Sequence, residues 1–151
     1  MAIKGRLVGL ALAGAVGFAS LIGLGQPAQA ASAYDTMAAK ARSACGYSHI
    51  VKSKVTGYNE YTGSELSRVF VLYGNGYNCA IHVKYSAAPG GYISINMERK
   101  SDYKTVRDNG FYSSYAGPVY LYAPTTCVNA WGAVTSATGD NYASTGWVGC
   151  N

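Results

Sequence analysis

Residues 77–85 read Tyr77-Asn78-Cys79-Ala80-Ile81-His82-Val83-Lys84-Tyr85. In this run Cys79, Ile81, Val83 and Tyr85 alternate with Asn78, Ala80, His82 and Lys84, the two-residue period of a strand with one apolar face. Immediately before it, Gly74-Asn75-Gly76 supplies residues that tolerate positive φ, so a tight reversal joins this strand to the β-rich run Leu66 to Tyr73. A β-hairpin spanning Leu66 to Tyr85 is therefore expected.

Downstream, Pro89-Gly90-Gly91 turns the chain into Tyr92 to Arg99, where Ile93, Ile95 and Met97 alternate with Ser94, Asn96 and Glu98. The pair Asn109-Gly110 predicts a second hairpin between Tyr103 to Arg107 and Phe111 to Tyr115. Val119 to Tyr122, Val128 to Thr135 and Tyr142 to Val148 complete the series, with Pro124 and Thr138-Gly139-Asp140 between them. About eight short strands with regular turns predict an all-β fold, an antiparallel β-sandwich or barrel. Upstream, Asp35 to Arg42 predicts a short helix capped by Asp35. The stretch containing Tyr58 and Tyr61 reads as a loop.

The first thirty residues differ in character from the rest. Lys4 and Arg6 precede an uncharged run from Leu7 to Leu24; Gln26 and Pro27 then lead into Ala28-Gln29-Ala30. That order predicts a secretory signal peptide over residues 1–30, cleaved before Ala31. Ala31-Ser32-Ala33 offers a second cleavage site a few residues on. No stable membrane anchor is expected after cleavage. The mature chain of about 120 residues suits one domain, divided into an N-terminal segment with the helix (31–44) and a β domain (45–151).

All four cysteines, Cys45, Cys79, Cys127 and Cys150, lie in the exported part. An even count in an oxidising compartment predicts two disulfides. Of three possible connectivities, Cys45 with Cys79 and Cys127 with Cys150 is favoured, since each joins neighbouring segments without threading the chain across the domain. No CxxC occurs, and His49 and His82 lack zinc-site spacing, so no metal or other cofactor is expected. Once Lys4 and Arg6 are removed, ten basic side chains face seven acidic ones, scattered rather than clustered. Nucleic acid is not an expected partner.

Several motifs together resemble spore-associated protein A and its relatives, small secreted proteins of sporulating filamentous bacteria. They are Gly76-Tyr77-Asn78-Cys79 ahead of its alternating strand, Tyr115-Ala116-Gly117-Pro118-Val119-Tyr120, Cys127-Val128 with Trp131-Gly132, and a cysteine next to the C-terminal residue. The resemblance covers roughly Cys45 to Asn151; residues 34–44 and the stretch between Cys45 and Leu66 fit it less well. It implies a location on or near the spore or cell surface and carries over no catalytic residues.

A search for catalytic groups returns little. Only His49 and His82 could serve as a base, and no Gly-x-Ser-x-Gly accompanies them. His82, on the polar side of its strand, reads as a surface or edge histidine. Most aspartates sit where turns explain them, leaving Glu98 the least accounted for. The positive feature is tyrosine, fourteen in all, a residue with an apolar face and a wet hydroxyl. Tyr112, Tyr115, Tyr120 and Tyr122 could form one contact surface around Pro118, and Tyr58 and Tyr61 read as exposed contact residues. The expectation is a noncatalytic surface protein adhering to spore coat or cell-wall polymer, or to a protein partner. Two alternatives remain: a protease inhibitor presenting Gly57 to Ser64 as a rigid loop, and a small hydrolase or toxin that would bring Glu98, His82 and Asp102 into one cleft.

Overall fold

A computed structural model describes residues 32–58, 63–85, 91–136 and 139–150. The order is α1 (Ala33–Cys45), β1 (His49–Tyr58), β2 (Glu65–Gly74), β3 (Tyr77–Lys84), β4 (Gly91–Arg99), β5 (Thr105–Tyr112), β6 (Tyr115–Tyr122), β7 (Val128–Ser136) and β8 (Gly139–Val148). Two four-stranded antiparallel sheets form, one in the order β1-β2-β3-β6 and the other β5-β4-β7-β8. They stack as an unclosed sandwich. The predicted leader and Tyr61 lie outside the described residues.

The hairpin at Asn75-Gly76 forms as its residues dictate: both have positive φ, 53° and 81°, the signature of a two-residue turn matched to strand twist. The strand that follows departs from expectation. β3 is buried on both faces, because α1 covers the outer side of the first sheet. Met37, Ala38 and Ala41 of the helix pack with Phe70, Leu72, Ile81 and Val83. On the inner side, Val69, Val71 and Ala80 meet Ile93, Ile95, Met97, Val128, Ala130 and Val134 of the second sheet. Asn78, His82 and Lys84 therefore enter the space between the sheets, and none of the three is more than 1% exposed. The alternation in the sequence was between two kinds of interior rather than between core and water.

The helix is longer than its sequence suggested and is capped one turn earlier. Ser32 is the N-cap: its hydroxyl accepts the Asp35 N–H at 3.1 Å and donates to the Asp35 carboxylate at 2.6 Å, a short-armed version of a capping box. Gly46, with φ of 70°, ends the helix in the left-handed conformation. Cys45 then bonds Cys79, tying the helix end to β3, and Cys127 bonds Cys150, tying the start of β7 to the chain beyond β8. Both pairings are the ones favoured from the sequence.

Two further expectations are corrected. Asn109-Gly110 is not a turn: both residues lie inside β5, paired with Ser94 and Ile93, and neither has positive φ. The reversal falls instead at Ser113-Ser114, and the Asn109 amide is used sideways, donating to the Tyr92 hydroxyl at 2.9 Å. Tyr58 ends a strand rather than sitting in a loop; β1 pairs with β2 through Tyr58 opposite Glu65. The proposed inhibitor loop thus begins in regular β structure, and residues 59–62 lie outside the described part.

Candidate binding face

Along β4, Ile93, Ile95 and Met97 are fully buried against the first sheet. Strand alternation therefore directs Tyr92, Ser94, Asn96 and Glu98 to the opposite, outer face. The registers extend that face across all four strands. Phe111 lies opposite Tyr92, Asn109 opposite Ser94 and Arg107 opposite Asn96 on β5. Trp131 lies opposite Asn96 and Asn129 opposite Glu98 on β7. Ser144 lies opposite Trp131, Tyr142 opposite Ala133 and Trp147 opposite Asn129 on β8.

The helix covers the other sheet, so among the described residues no element packs on this face. Phe111 is 85% exposed, Tyr142 63% and Trp147 40%. Tyr92 and Phe111 meet edge to face with centroids 5.8 Å apart. Trp131, opposite Ser144, lies diagonally from Tyr142 two positions along β8, while Trp147 lies opposite Asn129 on the far side of a β-bulge. Between the rings lie polar groups in fixed orientations: Ser144 donates to the Asn129 side-chain oxygen at 2.8 Å and Thr135 donates to Asp140 at 2.6 Å. Lys100 adds a cation 6.0 Å from the Trp147 ring. Four strands give a platform about 14 Å across between the outer strand axes. Rings interleaved with amides and hydroxyls on an uncovered sheet face suit a ligand with alternating apolar faces and hydroxyl edges.

The tyrosines nominated from β5 and β6 divide three to one: Tyr115, Tyr120 and Tyr122 lie on the helix side of the first sheet, where Tyr115 packs against the cluster of Phe70, Leu72, Ile81 and Val83, and Tyr112 stands apart on β5. Tyr112 and Tyr115 line a cavity of about 510 Å³ at the β5–β6 reversal. There the Tyr112 hydroxyl donates to Asp108 at 2.9 Å, and this hydrogen bond raises the phenol's pKa. Tyr120 and Tyr122 make their contacts further along β6. Tyr120 donates to the Cys45 carbonyl at 3.2 Å and meets Tyr47 edge-on, while Tyr122 packs against Tyr77 at 5.1 Å. Tyr120 thus satisfies a carbonyl at the end of α1, which is a structural role. Tyr58 is 60% exposed at the far end of β1.

The hydrolase residues do not converge. Asp102 sits in the β4–β5 turn, bonded at two points to Arg99, which holds its carboxyl down at about 2. His82 is in the core between the sheets. Its Nδ1–H donates to the Ser94 carbonyl at 2.8 Å, and its Nε2 lies 2.8 Å from the Thr56 hydroxyl and 3.0 Å from that of Ser67. A hydroxyl, an imidazole and an orienting acceptor in line have the form of a nucleophile and its base. Yet Ser67 and His82 have no exposed surface at all, and burial, with a smaller contribution from Lys84, pushes the imidazole down to about 4. A neutral, enclosed histidine bridges the two sheets. The surface reading of His82 is corrected accordingly.

Sequence reasoning missed the open face because its residues come from four separate strands whose lateral order, β5-β4-β7-β8, no local pattern encodes. The available signal was the polar half of each alternation, Tyr92-x-Ser94-x-Asn96 and Asn129-x-Trp131. Among the described residues, no group of three His, Cys, Asp or Glu side chains is placed to hold a metal ion, and no helix is long and apolar enough to cross a membrane. No family model, curated protein or solved structure matches the chain.

Proposed function

We propose that this is a secreted, noncatalytic surface protein that adheres to envelope polysaccharide through the outer face of the β5-β4-β7-β8 sheet. The observation that carries the reading is the exposure of Phe111, Tyr142 and Trp147 on a face where Asn, Ser and Arg side chains occupy the neighbouring positions. Aromatic planes take the apolar faces of sugar rings, and amides and hydroxyls take their edges. A platform on a rigid sheet loses little conformational entropy on binding. Repeated contacts along a polymer raise the effective affinity above that of any one ring.

Two disulfides are consistent with an extracellular protein. The leader-like residues 1–30 and the resemblance to spore-associated protein A support export and a place on the spore or cell surface. The test is sedimentation of the oxidised protein with purified spore coats, peptidoglycan, chitin and cellulose. Saturable binding to one of them names the ligand; failure to sediment with any of them overturns the reading.

A further inference from the structure

The cavity at the β5–β6 reversal adjoins the open face, since Phe111 belongs to both. Asp108, Phe111, Tyr112, Ser113, Ser114 and Tyr115 line it, so Asp108 is its one charged side chain and three of its walls are aromatic. Asp108 points inward from edge strand β5, opposite Ile95 of β4. One carboxylate oxygen accepts the Gly117 N–H at 2.7 Å and the other accepts the Tyr112 hydroxyl at 2.9 Å. Each oxygen keeps a second lone pair. The nearby Lys84 ammonium does not pair with Asp108; it donates to the carbonyls of Gly91 at 2.8 Å and Tyr112 at 2.7 Å.

We propose that this cavity is a subsite for a free ammonium group, the amine of an amino sugar in a glycan laid across the adjoining open face. A carboxylate with spare acceptor capacity among aromatic rings is the combination that attracts an ammonium, through a charge-assisted hydrogen bond and through the negative faces of the rings. An acetylated amine offers neither charge nor the same fit. The cavity also has room for one sugar ring. This inference rests on the adhesion reading and narrows it to glycans with free amines.

The test is a calorimetric titration of the oxidised protein with glucosamine oligomers and with N-acetylglucosamine oligomers of equal length. The expected result is about tenfold tighter binding of the free-amine oligomer, with amide NMR shifts at Asp108, Tyr112 and Gly117. In Asp108→Asn the two oligomers should bind equally, at the level of the acetylated one. Tyr77→Ala with Tyr122→Ala, on the helix side of the first sheet and away from the cavity, should keep the preference. Equal binding of the two oligomers by the unaltered protein overturns the inference and leaves the adhesion reading standing. So does a preference that persists in Asp108→Asn or disappears in the Tyr77 and Tyr122 double variant. Because the unaltered protein decides the matter, a variant that fails to fold does not shield the proposal. If neither oligomer nor any insoluble polysaccharide binds, the adhesion reading falls and the subsite with it.

Discussion

His82 reaches across the sandwich to Ser94: the imidazole Nδ1–H on β3 donates to the Ser94 carbonyl on β4, 2.8 Å away. The β4–β7 pairing is interrupted beside that contact. Pairing runs at Ile93 with Val134 and resumes at Asn96 with Trp131, omitting two rungs. The Ser94 hydroxyl compensates by accepting the Ala133 N–H at 3.1 Å. At Ser94 the carbonyl thus bonds the opposite sheet while the hydroxyl bonds the neighbouring strand.

Burial lowers the His82 pKa from 6.5 to about 4, so the unfolded chain binds a proton that the folded one refuses between those values. Stability from the neutral imidazole is fully present above about pH 6.5 and is lost as pH falls toward 4. The loss is about 3 kcal/mol. Urea unfolding at pH 7, 5.5 and 4 should show that slope. His82→Leu, which leaves Thr56 and Ser67 bonded to each other, should flatten it. The Asp102 carboxyl, held at about 2, titrates below this window, so an unchanged slope in the leucine variant would assign the acid sensitivity elsewhere.

Gly132 provides the space for the histidine. A Cβ there would lie 2.4 Å from the Ser94 carbonyl oxygen and 2.7 Å from His82 Nδ1. Because the nearer obstacle is backbone, Gly132→Ala should destabilise by about 3 kcal/mol, read as a shift in the denaturation midpoint. A cost under about 0.5 kcal/mol, the range of ordinary surface changes, would mean that the sheets can part there without penalty.

The Cys45–Cys79 bond closes a separation of 34 residues and holds the helix on its sheet. Loop-closure entropy assigns it about 4 kcal/mol. Cys45→Ser with Cys79→Ser should lower stability by that order and speed hydrogen exchange in α1 before the strands. Uniform exchange across helix and sheet would argue that the helix is held by Met37, Ala38 and Ala41 alone.

Much of this architecture is legible in the residues. Asn75-Gly76 marks its hairpin, and the four cysteines suggest their own pairing. The alternation Ile93-Ile95-Met97 identifies an inner face. What misleads is context. Asn109-Gly110 has the chemistry of a turn, but Asn109 finds Tyr92 beside it and the pair stays extended. The polar half of β3 resembles a wet face, but most of its polar atoms are met inside: His82 by Ser94, Lys84 by Gly91 and Tyr112, and the Asn78 amide N–H by the Ala123 carbonyl, which leaves Asn78 Oδ1 buried without a partner. The aromatic platform is invisible for a different reason: Phe111, Tyr92, Trp131 and Tyr142 become neighbours only when β4 lies between β5 and β7.

The most direct test of the central claim is to compare sedimentation with the bound polysaccharide for two variants that melt like the unaltered protein. One carries Phe111→Ala, Tyr142→Ala and Trp147→Ala on the open face; the other carries Tyr77→Ala and Tyr122→Ala on the helix side of the first sheet. Adhesion through the open face predicts at least a tenfold loss of affinity in the first variant and unchanged binding in the second. Unchanged binding in the first, or an equal loss in both, would contradict it.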